Sequence, residues 1–461
     1  MTAGDVSAGS AAANGAHPVS MAAGDPLSIL AAARDAGDAA ALVVGARTYT
    51  FGELAGIVRP RIDEVAHDTR AGVPYPLVGS GTLDTLVTLY ALLEAHIPAL
   101  LVHPQATELE HMRLLATAAQ SGSLPHPDAA AILYTSGTTG EPRGAVLSRS
   151  ALCASAAASA ANVGWESDDR WLLCMPLARI GGLSIVTRSL AARRCVVLEP
   201  AFDAALFPRW VEQHRVTLAS VVPTMLTRVL DAHPDWMPPA HLRAVLLGGA
   251  AASAKLLHRA GERRLPIVVT YGLTEACSHV TTTPYAARFE PGKHGAGRPL
   301  PGIGVRVRDG HIEVRGTVLM AGYWNETPLD PNAWFDTGDM GEFDAAGCLY
   351  VHARRADLIV TGGENVYPAE VERVLETFPG IVAAGVFGVP DEVWGQTVAV
   401  ALVVEKPPPD AALVDFCRRE LARHKWPRQV CYVERLPAAP SGKLDRRALS
   451  ELAPELRPLP R

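Results

Sequence analysis

From residue 130 onward, short apolar runs rich in β-forming residues alternate with helix-favouring segments. The run 130–135 (AAILYT) comes before the Ala-rich segment 148–162, and the runs 217–221 and 242–247 each come before another helical segment. A strand–helix–strand order of this kind returns each strand in the same direction, so it predicts a parallel sheet covered by helices on both faces. We therefore predict an α/β fold with doubly wound parallel sheets.

The pattern changes after residue 300. Residues 305–316 (VRVRDGHIEVRG) place Asp-Gly between two alternating runs, which predicts a β-hairpin in a small β subdomain. Beyond residue 355 the elements are short and mixed, and the last of them is a predicted helix over 444–452. A chain of 461 residues is also too long for one ordinary core. The change in pattern therefore predicts a second, smaller α+β domain at the C-terminal end.

We predict three segments in all. Residues 1–25 are rich in Ala, Gly and Ser, and are expected to form a flexible tail. They lack a basic start followed by an apolar stretch, so we do not interpret them as a signal peptide. A large α/β domain is predicted over 26–355, and the small mobile α+β domain, acting as a lid, over 356–461.

The composition excludes several classes of partner. The formal net charge of −6 argues against nucleic acid, because phosphate backbones select basic surfaces. No apolar run approaches the roughly 20 residues that a membrane-spanning helix needs. The seven cysteines include no C-x-x-C pair, which fits structural thiols in a reducing compartment. We therefore expect a cytoplasmic protein without a membrane span.

The strongest local motif is residues 134–144 (YTSGTTGEPRG), which follow an apolar strand and precede the helical segment at 148–162. Glycines bring backbone N–H groups close to a ligand, hydroxyls add donors, and an arginine adds a fixed positive charge. The motif does not satisfy G-x-x-x-x-G-K-[ST], so it is a phosphate-binding loop of another kind, or else an ordinary flexible loop. The candidate phosphate-binding residues are Thr135, Ser136, Gly137, Thr138, Thr139, Gly140 and Arg143.

Two further motifs each follow a predicted strand. Residues 271–275 (YGLTE) come after the strand 266–270: Tyr271 offers an aromatic face for a purine, and Glu275 offers hard oxygen ligands for Mg²⁺. Residues 247–250 (LGGA) permit a flat ligand to approach the backbone closely. The alternatives are a buried loop for the first motif and a tight strand–helix turn for the second. The remaining candidates in these motifs are Gly248, Gly249, Ala250, Gly272 and Thr274.

Three motifs lie nearer the C-terminus. Residues 334–339 (WFDTGD) end in Asp339, whose carboxylate can accept both hydroxyl protons of a ribose. Residues 361–371 (TGGENVYPAEV) contain Gly362 and Gly363, which allow a strained or mobile backbone. Residues 440–445 (PSGKLD) carry Lys443 before the last predicted helix. Taken singly, these motifs are equally typical of a turn aspartate, an interdomain loop and a solvated surface lysine.

In combination, these motifs resemble the adenylate-forming superfamily of acyl-CoA synthetases, adenylation domains and luciferases. The resemblance covers nearly the whole chain and includes YTSGTTGxPKG, with Arg143 where lysine is usual, and PxxxxGKxxR around Lys443. It implies that the loop at 134–144 holds the β- and γ-phosphates and that the LGGA turn borders the adenine. It further implies the following roles: Thr274 on the α-phosphate, Glu275 on magnesium, Asp339 and Arg354 on the ribose, Gly362 and Gly363 along the CoA tunnel, and Lys443 on carboxylate and α-phosphate oxygens.

The sequence departs from this family at the predicted hinge. Family members often have Asp or Lys at the position of Ala356, and Gly at the position of Ala353. A hinge requires backbone rotation rather than charge, so we expect Ala356 to serve as the hinge of the C-terminal domain.

Within the superfamily, residues 176–190 and 353–370 resemble the o-succinylbenzoate:CoA ligases of menaquinone biosynthesis. Where that subfamily commonly has an aromatic residue and His, this sequence has Ala178 and Arg179. Arg179 is either a partner for the second carboxylate of a diacid or a surface arginine, and the lost aromatic residue fits another aryl acid or a short aliphatic acid equally well. Ser278 and His279 are expected to line the acid pocket, with a structural role as the alternative for His279.

The sequence thus predicts an ATP-dependent carboxylic acid:CoA ligase, an acid–thiol ligase that forms an acyl-adenylate, releases pyrophosphate, and then forms acyl-CoA with release of AMP. Its substrates would be ATP, CoA and an aromatic or dicarboxylic acid such as o-succinylbenzoate, with Mg²⁺ as cofactor. Three alternatives stay open: a stand-alone adenylation enzyme that loads a carrier-protein thiol, a generic fatty or short-chain acyl-CoA synthetase, and a nucleotide-binding protein without catalysis. A homodimer is also left open.

Overall fold

The structure, a computed structural model, describes residues 24–69, 73–106, 112, 126–136, 142–354, 357–361, 364–391, 394–438 and 444–460. Most of the predicted tail lies outside the described residues. Several predicted site residues also lie outside them: Gly137, Thr138, Thr139, Gly140, Ala356, Gly362, Gly363 and Lys443.

Eleven helices and twenty-four strands are found in the part of the chain that the structure describes. The helices are α1 (Ile29–Ala36), α2 (Phe51–Asp68), α3 (Leu83–Glu94), α4 (Arg149–Val163), α5 (Ile180–Ala192), α6 (Phe207–Gln213), α7 (Pro223–Ala232), α8 (Ala254–Glu262), α9 (Pro368–Leu375), α10 (Asp410–Glu420) and α11 (Arg446–Ser450). The strands are β1 (Ala40–Val44), β2 (Arg47–Thr50), β3 (Tyr75–Val78), β4 (Ala99–Val102), β5 (Ala129–Ser136), β6 (Pro142–Ser148), β7 (Arg170–Leu173), β8 (Cys195–Leu198), β9 (Leu218–Val221), β10 (Ala244–Leu247), β11 (Ile267–Leu273), β12 (Ser278–Thr282), β13 (Arg298–Pro299), β14 (Gly304–Arg308), β15 (His311–Arg315), β16 (Gly322–Tyr323), β17 (Phe335–Phe343), β18 (Leu349–Arg354), β19 (Ile359–Thr361), β20 (Glu364–Val366), β21 (Ile381–Asp391), β22 (Gly395–Val404), β23 (Gln429–Tyr432) and β24 (Arg457–Pro458).

The largest sheet has nine strands in the order β13-β12-β11-β10-β9-β7-β8-β1-β2. Its six central strands, from β11 to β1, are parallel, whereas the strands at both ends are antiparallel. The central strands are short and almost wholly apolar; all four residues of β10 are buried. Such strands need cover on both faces, and the predicted α/β fold is confirmed in this sheet.

A second sheet has five strands in the order β16-β6-β5-β4-β3; the pairs β16-β6 and β6-β5 are antiparallel, and the pairs β5-β4 and β4-β3 are parallel. A third sheet, β14-β15-β17-β18, is antiparallel and contains the predicted hairpin. At the hairpin turn Asp309 and Gly310 have φ of 52° and 81°, the left-handed pair that Asp-Gly sequences favour.

The six strands from β19 to β24 form a fourth sheet, with a separate apolar core beneath α9 and α10. The chain changes sheet between Arg354 and Ile359, close to the predicted domain boundary, which stays a prediction. The last helix spans Arg446–Ser450 rather than the predicted 444–452, because the Asp445 side chain caps its first turn by accepting from the backbone N–H groups of Arg447 and Ala448.

Candidate nucleotide and acid site

The β5–β6 hairpin carries the predicted phosphate loop. Thr135 pairs with Arg143 across the hairpin, and Ser136 pairs with Pro142, so the two ends of the loop leave adjacent strands side by side. The Thr135 hydroxyl donates to the Arg143 carbonyl at 3.4 Å. Between these ends, residues 137–141 lie outside the described residues, and their role in phosphate binding stays a prediction.

The LGGA turn follows β10 at the carboxyl edge of the parallel strands, where open α/β sheets bind ligands. A Cβ at Gly248 would lie 2.1 Å from the hydroxyl oxygen of Thr270 on β11. The next residue, Gly249, has a φ of 78°. Only glycines permit β10 and β11 to approach so closely at this edge, and the turn continues into Ala250.

The YGLTE motif lies partly in a strand, whereas the sequence placed it after the predicted strand 266–270 with a buried loop as the alternative. Strand β11 continues to Leu273 because β12 returns beside it as an antiparallel strand. A Cβ at Gly272 would lie 2.0 Å from the carbonyl oxygen of Ser278, so this close pairing also requires glycine.

The structure brings the side chains of Tyr271 and Asp339 together and pairs the backbone of Arg354 with that of Asp339. The Tyr271 hydroxyl donates to Asp339 Oδ2 at 2.8 Å, and Asp339 lies opposite Arg354 in the β17–β18 pairing. Asp339 is buried, with 9% of its surface exposed, and its backbone N–H donates to the Thr337 hydroxyl. Tyr271 and Asp339, which are 68 residues apart in the sequence, therefore meet where the resemblance implies a ribose site.

Thr274 and Glu275 form a short 3₁₀ turn at the end of β11. The Tyr323 hydroxyl donates to Glu275 Oε1 at 2.9 Å, which fixes the orientation of the carboxylate. Burial, and then the charge of Glu275, raise the pKa of Tyr323, so its hydroxyl stays a donor at neutral pH. No sequence pattern indicated that Tyr323 reaches this site, because 48 residues separate it from Glu275.

The site fits a magnesium ion that is held mainly by phosphate oxygens. Within the described residues, no group of three or more His, Cys, Asp and Glu side chains could hold a metal ion. Glu275 offers a single oriented carboxylate, and Mg²⁺ bound with phosphates typically uses one or two protein carboxylates. When bound, the ion would neutralise charge on the phosphates.

The predicted acid-pocket residues lie at the start of α5 and β12. Arg179 is the N-cap residue of α5, and its Nε is buried without a hydrogen-bond partner among the described residues. Burial lowers the pKa of this guanidinium. Ser278 begins β12 with a φ of 111°, and His279 beside it has an unpartnered, buried Nε2 in the described part of the chain.

A further cation, Arg188, faces His279 from α5. Only 2% of the Arg188 surface is exposed; its Nη2 donates to the Ser155 hydroxyl at 3.3 Å, and its Nε has no partner within the described ranges. Burial, and then the charge of Arg188, hold the pKa of His279 well below its usual range, so the imidazole is neutral at pH 7. The available signal in the sequence was one arginine within the otherwise uncharged helix 180–192.

Arg446 belongs to the same PxxxxGKxxR pattern as Lys443 and is anchored in the C-terminal sheet region. Its guanidinium pairs with Glu372 at 2.6 Å and with Asp357 at 3.2 Å, and it also donates to the Val386 carbonyl. The start of α11 is therefore tied to α9 and to the segment that follows the predicted hinge.

Comparison with known families supports this arrangement. Residues 85–324 match the AMP-binding enzyme family, and residues 370–443 match the AMP-binding enzyme C-terminal domain. The first match alone covers more than half of the chain. The chain therefore belongs to the AMP-binding enzyme family, and the predicted adenylate-forming superfamily is confirmed.

The chain is similar to enzymes of known function. It is 41% identical over 361 residues to the 2-succinylbenzoate–CoA ligase of Bacillus licheniformis, covering 75% of this chain and 72% of that protein. The o-succinylbenzoate CoA synthetase of Bacillus subtilis in complex with the acyl-adenylate intermediate OSB-AMP superimposes with a TM-score of 0.80 at 31% identity, covering 91% of this chain and 97% of that one. The same enzyme in complex with ATP and magnesium ion superimposes with a TM-score of 0.80 at 30% identity, covering 92% of this chain and 98% of that one.

The chain is thus an AMP-forming acid–thiol ligase, as predicted, and ATP, Mg²⁺ and CoA are the predicted participants that these relatives support. In the described part of the chain, the structure contains no helix that is both long and apolar enough to cross a membrane.

Proposed function

We propose that this enzyme activates o-succinylbenzoate, an aromatic dicarboxylic acid, as its acyl-adenylate and transfers the acyl group to CoA, a step of menaquinone biosynthesis. The names of the similar Bacillus enzymes point to this acid. The observation in this chain that favours a diacid is the buried, incompletely paired Arg188 beside a neutral His279. A buried guanidinium without a protein carboxylate is suited to a carboxylate supplied by the substrate.

In the first half-reaction, an oxygen of the acid attacks the α-phosphorus of MgATP in line and pyrophosphate leaves. Residues 135–140 and Arg143 hold the phosphates, and Thr274 contacts the α-phosphate. Glu275 would bind the magnesium ion. Tyr271 and the LGGA turn bind the adenine, and Asp339 and Arg354 bind the ribose. Lys443 stabilises the charge that develops between the carboxylate and the α-phosphate.

In the second half-reaction, the C-terminal domain (356–461) rotates about Ala356 against the N-terminal domain (26–355). This rotation withdraws Lys443 and brings Gly362 and Gly363 to the CoA tunnel, where the thiol attacks the acyl carbonyl and AMP leaves. No enzyme nucleophile is required. All seven cysteines are unpaired thiols and six of them are buried, which supports structural roles and a cytoplasmic location. The homodimer stays a prediction.

Two arginines on α5 are candidates for the second carboxylate: Arg179, predicted from the sequence, and Arg188, found in the structure. Arg188 is the more deeply buried of the two, and a charge-assisted hydrogen bond strengthens where water is excluded. We therefore propose Arg188 as the main contact and Arg179, at the N-terminal end of the helix, as the second.

A pyrophosphate-release assay with matched acids tests the proposal. We expect o-succinylbenzoate to be preferred over 4-oxo-4-phenylbutanoate, which lacks only the ring carboxylate, and over fatty acids. Arg188→Met should reduce this preference about 10- to 100-fold, since a hydrogen bond to a charged group is lost, without lowering the melting temperature. Arg179→Met is the matched variant. If it reduces the preference more than Arg188→Met does, the main contact to the second carboxylate is Arg179 rather than Arg188.

Two outcomes would contradict the proposal. Preference for long fatty acids, with no reaction of o-succinylbenzoate, would identify a generic acyl-CoA synthetase. Transfer to a phosphopantetheinylated carrier protein but not to CoA would identify an enzyme that loads carriers.

A further inference from the structure

The segment 320–326 lies between the strand that leaves the phosphate loop and the turn that carries Glu275. The backbone N–H of Ala321 donates to the Val146 carbonyl at 2.9 Å, and that of Trp324 donates to the Gly144 carbonyl at 2.7 Å. These bonds add β16 to the edge of β6. We call this segment the bridging segment, because its other contacts reach Glu275.

Two hydrogen bonds fasten the bridging segment to the Glu275 turn. The backbone N–H of Met320 donates to the Glu275 carbonyl at 2.7 Å. Three residues later, the Tyr323 hydroxyl donates to Glu275 Oε1 at 2.9 Å. The bridging segment therefore fixes both the backbone and the carboxylate of Glu275 relative to the phosphate hairpin.

The ring of Tyr323 is itself held by a residue of the phosphate motif. The guanidinium carbon of Arg143 lies 3.5 Å from the centre of the Tyr323 ring. Arg143 Nε also donates to Glu326 Oε1 at 2.7 Å, and its Nη2 pairs with the other oxygen of that carboxylate. A stacked and bidentate arginine is held in one orientation, so the ring beneath it is held as well.

We propose that Tyr323 is a positioning residue that orients the Glu275 carboxylate for the magnesium of MgATP. The inference rests on the proposed function, in which Glu275 serves this ion. A glutamate side chain has three rotatable bonds, and ordering it when the nucleotide binds would weaken affinity. Tyr323 orders the Glu275 side chain before the nucleotide binds. Hydrogen-bonding partners of metal ligands typically contribute about 10- to 100-fold in metal affinity or activity.

Tyr323→Phe tests the inference, because it removes the hydroxyl and keeps the ring beneath Arg143. ATP binding is measured by calorimetry with Mg²⁺ and with a chelator. We expect the increase in ATP affinity that Mg²⁺ produces to fall about 10-fold, while affinity without the metal is unchanged. In ATP–pyrophosphate exchange, the variant should need more Mg²⁺ for half-maximal rate and should recover at high Mg²⁺.

The second half-reaction provides an internal control. Thioester formation from supplied acyl-adenylate needs no bound pyrophosphate group, so Tyr323→Phe should leave its rate unchanged. Tyr49→Phe is the matched variant, since Tyr49 also lies beneath an arginine, with Arg47 4.2 Å from its ring centre, but on β2. We expect Tyr49→Phe to bind ATP as the unmodified enzyme does, with and without Mg²⁺.

Glu275→Gln separates failure of this inference from failure of the proposed function. If Glu275→Gln removes the effect of Mg²⁺ on ATP affinity but Tyr323→Phe does not, only the positioning role of Tyr323 is wrong. If Glu275→Gln has no effect, the assigned role of Glu275 is wrong. If Tyr323 acts through Glu275, adding Tyr323→Phe to Glu275→Gln should cause no further loss, whereas an additional loss would overturn the inference.

Discussion

At the scale of single residues, the site depends on positions where a side chain would not fit. A Cβ at Gly248 or at Gly272 would lie only 2.0–2.1 Å from an atom of the neighbouring strand. These glycines were identified from motifs, but the reason for them is a contact with Thr270 in one case and with Ser278 in the other. The sequence cannot show such a contact, because it depends on which strands are neighbours.

Gly272→Ala is expected to damage both stability and activity. Its Cβ would lie 2.0 Å from the Ser278 carbonyl oxygen and 2.4 Å from the Cα of His279, so β12 must move away from β11. Overpacking of this kind typically costs about 1–3 kcal/mol, and here it also displaces the acid-pocket residues. Thermal unfolding and ATP–pyrophosphate exchange measure the two effects.

Gly56→Ala is the control for this substitution. Gly56 lies within α2, where a new Cβ would meet nothing within 4 Å. We expect this variant to keep its activity and to gain up to about 1 kcal/mol, because alanine is the better helix former. An unchanged melting temperature and activity for Gly272→Ala would contradict the steric argument.

At the scale of secondary-structure elements, the carboxyl ends and the amino ends of the parallel strands in the nine-stranded sheet have different roles. The carboxyl ends of β10 and β11 carry site residues. At the amino ends of the parallel strands, a polar residue directly precedes each of three strands: Asp169 precedes β7, Thr217 precedes β9 and Arg243 precedes β10. Asp169 accepts from the Thr217 hydroxyl and from Arg243 Nε, each at 2.7 Å. This buried network joins the amino ends of three strands.

Asp169→Ala should destabilise the large sheet strongly and leave the chemistry intact. The Asp169 side chain is fully buried and that of Arg243 is 8% exposed, so the substitution leaves the buried guanidinium with a longer pair at 3.8 Å to the exposed Glu166. We expect a loss of about 3–5 kcal/mol in chemical unfolding. The KM for ATP of the folded fraction should not change, because the substitution lies at the amino ends of the strands and the site lies at their carboxyl ends.

The pair between Asp410 and Arg457 serves as the comparison, since its side chains are 30% and 45% exposed. Asp410→Ala should cost less than about 1 kcal/mol. Losses of equal size in the two variants would show that burial does not govern the strength of these pairs.

At the scale of the whole molecule, the proposed mechanism requires the C-terminal domain to contribute a lysine to the first half-reaction and then withdraw it. Lys443 lies outside the described residues, but Arg446 nearby is tied to Glu372 and Asp357. The start of α11, three residues after Lys443, is thus connected to the body of the C-terminal sheet. Its movement should follow the movement of that body rather than occur independently.

Lys443→Ala should affect the two half-reactions unequally. Loss of a donor to developing charge typically reduces rate about 100- to 1000-fold, and we expect this loss in ATP–pyrophosphate exchange. Thioester formation from supplied acyl-adenylate should change little. Lys406→Ala, an exposed lysine of the same domain, should leave both rates unchanged. An equal loss in both half-reactions for Lys443→Ala would refute the assignment.

The sequence by itself determined the alternation of strands and helices from residue 130 onward, the Asp-Gly hairpin and the set of nucleotide motifs. Each of these features depends on local properties: hydrophobic periodicity, turn chemistry and short strings of residues. The predicted strand at 266–270 and the structure's β11 begin within a residue of each other. The predicted ends of the elements were less accurate than their order, because pairing with β12 extends β11 and the Asp445 cap shortens α11.

Only the tertiary structure decided which distant residues meet. The contact of Tyr323 with Glu275 and the burial of Arg188 beside His279 both join segments that are far apart in the chain. Pairing between strands and burial of a side chain depend on the whole packed core, which no local pattern encodes. The sequence therefore determined the reaction class, and the fold decided which side chains meet at the proposed nucleotide and acid sites.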